Sequence, residues 1–132
     1  MRLDSLDNPF LEMLGAKLLS WKSNSAEFRL AVKPMHLNRQ GTLQGGVITT
    51  LLDAACGYSG LYVEPGNAPR HASTLSLTVN FVSKIESGIV SAHGIRSGGG
   101  NTIYFANGEL ISASGKLIAT AVGTFKYSVS RD

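Results

Sequence analysis

Apolar and polar residues alternate along most of this chain, and one long stretch breaks the pattern. Across 25–33, Ala26, Phe28, Leu30 and Val32 fall on one side and Glu27, Arg29 and Lys33 on the other. That two-residue period predicts a half-buried strand, which Pro34 ends. Across 72–83, Leu75, Leu77, Val79 and Phe81 stand against Thr74, Ser76, Thr78 and Asn80 in the same way. Strands are also predicted at 16–21, 88–97, 102–112 and 116–128. The links between the last three, Gly98-Gly99-Gly100-Asn101 and Ala113-Ser114-Gly115, are rich in residues that tolerate positive φ. Four consecutive strands with short links predict an antiparallel meander. Near the start, Asn8 can cap a short helix, Pro9 suits its first position and Gly15 can end it, with Phe10, Leu11 and Leu14 as its apolar face.

The exception runs over 46–62. Val47-Ile48-Thr49-Thr50 is β-branched throughout and suits a buried strand, but the uninterrupted run is too long for one and ordinary for a helix. Such a helix is apolar nearly all round, so the rest of the chain must wrap it. The predicted fold class is α+β: a six-stranded antiparallel sheet around one long central helix, plus a short N-terminal helix, as a single domain over 1–132.

Asp53 is the only charge between Arg39 and Glu64. A charge in an apolar run needs a partner or a task. Upstream lie Asn38, Gly41, Gln44 and the pair Gly45-Gly46. The pattern Asn38-x-x-Gly41-x-x-Gln44-Gly45-Gly46, with Asp53 nine residues after Gln44, resembles the Asn-x-x-Gly-x-x-His-Gly-Gly…Asp signature of hotdog-fold acyl-CoA thioesterases. The branch it is most similar to is the phenylacetyl-CoA (PaaI-type) thioesterases, within the 4-hydroxybenzoyl-CoA thioesterase superfamily. The layout fits from about Leu14 to Tyr127. Gln44 departs from the family, which usually has His there; a backbone role at this position tolerates the change, whereas a side-chain role does not.

The resemblance implies hydrolysis of an acyl-CoA thioester, with coenzyme A as part of the substrate and no separate cofactor. The physical chemistry of the motif agrees. A helix N-terminus offers unpaired N–H groups and a positive dipole end to a developing oxyanion, so Gly45 and Gly46 are the candidate donors, with Gln44 beside them. Asp53 can activate water or attack directly. Asn38 can position water or a carbonyl. Thr74 aligns with a hydroxyl that in the family orients the carboxylate or water. Arg70, Arg96 and Lys116 are candidate contacts for the phosphates of coenzyme A. Tyr58, Tyr62 and the apolar helix face suggest a small, apolar or aryl acyl group.

Gly45 and Asp53 are eight residues apart, about 12 Å along a helix. One helix therefore cannot bring both to one carbonyl, whereas an antiparallel second copy can. A homodimer with shared sites is expected, Asn38 and Gly45 coming from one chain and Asp53, with Thr74, from the other. The resemblance extends this to a homotetramer built as a dimer of dimers. Two alternatives stay open: a non-catalytic acyl-CoA-binding hotdog protein, and a hotdog hydratase or dehydratase using His71.

Composition narrows the rest. Hydrophobic residues make up 43% and charged residues 16%, as in an ordinary globular domain. The net charge of +3 comes from basic residues that never adjoin, which argues against nucleic acid and suits an anionic ligand. His36, His71, His93 and the single Cys56 have no metal-ligand spacing, so no metal is expected. Cys56 reads as a small buried apolar group. A lone cysteine, a charged start without a signal-peptide core and no span long enough to cross a membrane together predict a cytoplasmic protein without a membrane partner.

Overall fold

A computed structural model describes residues 8–129. The start read above as no signal peptide lies almost wholly outside the described residues. Local chemistry sets the first element, α1 (Pro9–Leu14). The Asn8 side chain accepts from the Leu11 N–H at 3.3 Å, Pro9 takes the first turn, and Gly15 closes the helix at φ 87°. Leu11 is buried, but Phe10 stays 52% exposed, so the apolar face is narrower than its sequence suggests.

Strands β1 (Lys17–Lys22) and β2 (Ser25–Val32) form a hairpin, and the long helix α2 (Gly45–Ser59) follows. Then come β3 (Ala72–Phe81), β4 (Gly88–Gly99), β5 (Ile103–Ser112) and β6 (Leu117–Tyr127). All pairings are antiparallel, and the sheet order is β1-β2-β4-β5-β6-β3. The predicted four-strand meander is therefore corrected. Of those four strands, only β4, β5 and β6 are consecutive neighbours; β3 crosses over to the far edge and pairs with β6. The alternation in β3 says that one face is buried, but carries no information about which strand lies alongside.

The sheet curls around α2, whose Ile48, Leu51, Leu52, Ala55 and Cys56 are buried in one core with Phe28, Leu30, Leu110, Ile118 and Phe125. Close approach of helix to sheet depends on glycine. A Cβ at Gly94 of β4 would run into the Ala55 carbonyl, and one at Gly108 of β5 would meet the Cys56 sulfur at 2.8 Å. Two tyrosines close the helix end: Tyr104 donates its hydroxyl to the Gly57 carbonyl at 2.6 Å, and Tyr127 to the Gly60 carbonyl at 2.8 Å. The helix is not wrapped all round, as its apolar sequence led us to expect. Thr50, Asp53, Ala54 and Gly57, at helical spacing, form a stripe that the sheet leaves partly uncovered. The charge of Asp53 lies on that stripe, where it keeps access to solvent and avoids the core.

Candidate active site

The loop before α2 is organised by its own polar side chains. Asn38 accepts from the N–H groups of Gln40 and Thr42 at 2.9 and 3.1 Å and donates to the Thr42 hydroxyl at 2.9 Å. Its amide thus shapes the loop first and retains one N–H for any other partner. Gly41 follows at φ 82°, which only glycine adopts without strain.

Buried His36 ties this loop to the body of the protein. Its Nδ1 accepts from the Lys33 N–H at 2.9 Å, which leaves Nε2–H to donate to the Leu14 carbonyl at 2.7 Å. The His36 carbonyl in turn accepts the Gln44 N–H at 2.9 Å. Neither His36 nor Thr42 was among the sequence candidates. A histidine two residues before the motif and a threonine inside it were the available signals.

Gln44 is the N-cap of α2, with extended backbone and an exposed side chain that makes no capping bond. Its carbonyl accepts from Val47 and Ile48 at 3.0 and 3.1 Å. The N–H groups of Gly45 and Gly46, first in the helix, have no acceptor among the described residues. They are the donors that a helix N-terminus leaves over for a ligand.

Asp53 lies two turns further on, and the Thr74 hydroxyl donates to its Oδ1 at 2.7 Å. Strand β3 reaches this bond through an irregularity. Thr74 pairs with Phe125 and Ser76 with Thr124, so Leu75 has no partner in the register. The extra residue turns Thr74 to the inner face and leaves Leu75 55% exposed. The alternating sequence had placed Thr74 on the side opposite the apolar residues.

Asp53 and Thr74 line a cavity of about 210 Å³ together with Phe10, Leu11, Ala54 and Phe125. Asn8, Tyr58, Leu61 and Ala72 border both this cavity and a larger cleft of about 540 Å³, lined by Trp21 and Tyr62. The Trp21 indole donates to the Tyr58 carbonyl at 2.8 Å and its ring lies 5.3 Å from that of Tyr58. Tyr58 and Tyr62 thus meet in one aromatic cleft, with Trp21 as a third member that sequence reading missed.

Asn38, Gln44, Gly45 and Gly46 gather at one end of α2, while Asp53 and Thr74 sit at its middle. Arg70 and Arg96 border a third cavity, at the far end of α2. Lys116 does not join them; its Nζ donates to the Lys84 carbonyl at 2.9 Å, in the hairpin between β5 and β6. Among the described residues, no three His, Cys, Asp or Glu side chains are grouped to hold a metal ion. No helix among them is long and apolar enough to cross a membrane.

The fold has counterparts among solved structures. The chain superposes on a single-substitution variant of the phenylacetic acid degradation protein PaaI from Thermus thermophilus, with a TM-score of 0.77 and 27% identity, over 90% of this chain and 98% of that one. This protein has the hotdog fold and is similar to the PaaI-like thioesterases. The PaaI protein of E. coli gives a TM-score of 0.81 over 94% of this chain and 87% of its own, at 19% identity, which speaks for the fold alone. Acyl-coenzyme A thioesterase 13 of Mus musculus is 34% identical over 92 residues, 68% of this chain and 64% of that protein. No family model matches the chain. The resemblance and the hotdog fold expected from the motif are thus both found, with α2 as the central helix of that fold.

Proposed function

We propose that the chain is an acyl-CoA thioesterase acting on a small, apolar or aryl acyl group. The observation that carries this reading is the pairing of two unengaged glycine N–H groups at the start of α2 with an aspartate on that helix's uncovered stripe. The first suits an oxyanion and the second suits a base or nucleophile, the two needs of thioester hydrolysis. The hydroxyl of Thr74 donates to the carboxylate and fixes its rotamer. Substrate breadth follows from the walls of the Asp53 cavity, where Phe10, Leu11 and Phe125 favour apolar groups.

The two halves of this machinery are eight residues apart on one helix, about 12 Å by its rise. A reacting carbonyl needs both within roughly 3–3.5 Å. We therefore assign Asn38 and Gly45 of one protomer and Asp53 and Thr74 of its partner to each site. Strand β3 supports such pairing, since it forms an edge of the sheet and exposes Leu75 and Phe81 at 55% and 58%. The further assembly of dimers into a tetramer belongs to the same proposal.

A hydratase needs a histidine near the carboxylate, and no histidine lines the Asp53 cavity. His36 is buried and bonded, exposed His93 lies 3.3 Å from the Glu27 carboxylate, and His71 borders the outer cleft. The deciding experiment follows free thiol release from a panel of short, branched, aryl and long acyl-CoAs. Turnover of at least one thioester by the wild type, absent from Asp53→Asn, supports the reading. Tight acyl-CoA binding without turnover of any would replace it with a non-catalytic binding role.

A further inference from the structure

The cavity at the far end of α2 holds two arginines that the hydrolytic site does not use. It measures about 200 Å³ and its walls are almost wholly polar, with Asn24, Ser59, Asn101 and the backbone of Gly60 beside Arg70 and Arg96. The guanidinium of Arg70 lies 3.8 Å over the Tyr127 ring, and that of Arg96 lies 5.8 Å from the Tyr104 ring. The two tyrosines are themselves 4.6 Å apart. Each guanidinium is thus held against an aromatic face, which orients it while leaving its donors free to act.

Those donors are incompletely used. One terminal nitrogen of Arg96 donates to the Gly100 carbonyl at 3.2 Å, but its Nε is buried and has no acceptor. Among the described residues, neither arginine pairs with a carboxylate. A buried charged donor without a partner is costly and rare. The negative end of the α2 dipole offers only about half a charge. The Gly57 and Gly60 carbonyls there already accept from Tyr104 and Tyr127. Two guanidinium groups therefore face one polar cavity, and among the described residues no carboxylate balances them.

We propose that Arg70 and Arg96 form an oxyanion site that takes a phosphate or carboxylate group. The paired N–H donors of a guanidinium match both geometries, and two guanidinium groups border this cavity. The cavity has room for such a group, since a single water occupies only about 30 Å³. It shares Tyr62 and Arg70 with the aromatic cleft, which adjoins the Asp53 cavity. From Asp53 to Gly60 the helix rises about 10 Å. Resting on the thioesterase reading, the anion has two candidate sources: a phosphate of coenzyme A, or a carboxylate at the far end of the acyl chain.

Binding measurements test the site without requiring turnover. Calorimetric affinities for coenzyme A, dephospho-coenzyme A and a dicarboxylic acid mono-amide of N-acetylethylenediamine are compared in wild type, Arg96→Gln, Arg70→Gln and Arg96→Lys. Arg70 is exposed, so Arg70→Gln leaves the core untouched. We expect at least one anionic ligand to bind about 10- to 100-fold more weakly to both glutamine variants, the scale of charged hydrogen bonds, with partial retention in Arg96→Lys. Loss confined to coenzyme A and its derivative identifies phosphate; loss confined to the mono-amide identifies the acyl carboxylate. Unchanged affinity for all three ligands in both glutamine variants overturns the proposal, whether or not the protein hydrolyses thioesters.

Discussion

Thr74 donates its hydroxyl to the Asp53 carboxylate at 2.7 Å, and the unpaired Leu75 one residue later is what aims it there. A strand in regular register would have turned Thr74 outward, level with Ser76. The bulge sacrifices one ladder pairing to orient one side chain, which marks the pair as a built feature. Asp53→Asn keeps the shape of the side chain and removes its charge. Hydrolysis is expected to fall by at least about 100-fold, the scale of a positioned acid–base group, at unchanged melting temperature. Thr74→Val keeps the volume and removes the donor, and a smaller loss of about tenfold is expected. Near-normal turnover by Asp53→Asn would sink the assignment of Asp53.

On the proposed mechanism, Gln44 acts through its backbone. Its side chain is exposed and uncapped, while its carbonyl starts the hydrogen-bond ladder of α2. Gln44→Ala should therefore keep kcat within about threefold of wild type, well inside the effect of losing one oxyanion donor. Gln44→His should be equally tolerated. A collapse of kcat in Gln44→Ala without loss of stability would show that the side chain touches the reacting atoms.

Cys56 gives a stability signature at alkaline pH. Burial, and then the nearby charge of Asp53, push its thiol from 9.0 up to about 12. Below pH 9 the thiol is protonated in both folded and unfolded chains. Above it the unfolded chain releases the proton and the folded one keeps it, so stability falls as pH rises toward 12. The slope is at most about 1.4 kcal/mol per pH unit. Tyr104 is also raised, by burial and by Tyr127, and adds a loss of the same sign. Urea unfolding of wild type and Cys56→Ala between pH 8 and 11 separates the two. The wild type should lose stability more steeply; parallel curves would mean that the thiol ionises freely in the folded state.

Much of this architecture could be read from local pattern. The caps of α1 depend on Asn8, Pro9 and Gly15 alone, and β2 announces itself through strict alternation. The spacing from Asn38 to Asp53 carried the motif because all its residues lie within one loop and one helix. The features that escaped reading depend on distant partners. Nothing in 72–81 states that β3 will lie beside β6, and Thr74-Leu75-Ser76-Leu77 alternates too well to betray a bulge. The uncovered stripe of α2 is equally silent, since Thr50, Ala54 and Gly57 suit a buried face as well as an open one. His36 looked like one scattered histidine until Leu14, Lys33 and Gln44 closed around it.

The distance between the start of α2 and Asp53 leads to the sharpest test. If each site takes Asn38 and Gly45 from one protomer and Asp53 from its partner, then Asn38→Ala and Asp53→Ala lesions sort by symmetry. Each variant alone places one lesion in both of its sites and should be nearly inactive. In a mixed dimer, one site receives both lesions and the other receives neither. With equal expression and random pairing, about half of the dimers are mixed, each with one intact site of two. Activity should then recover to about a quarter of wild type, although both parents are inactive. Asn38→Ala also removes the bonds that Thr42 and Gln40 make to Asn38, so melting temperatures are compared to confirm that the loop change does not unfold the chain. Confirmed heterodimers as inactive as their parents would show that Asn38 and Asp53 do not meet across an interface. The oxyanion donor and the base would then have to be sought within one protomer, against the roughly 12 Å that the helix rise puts between them.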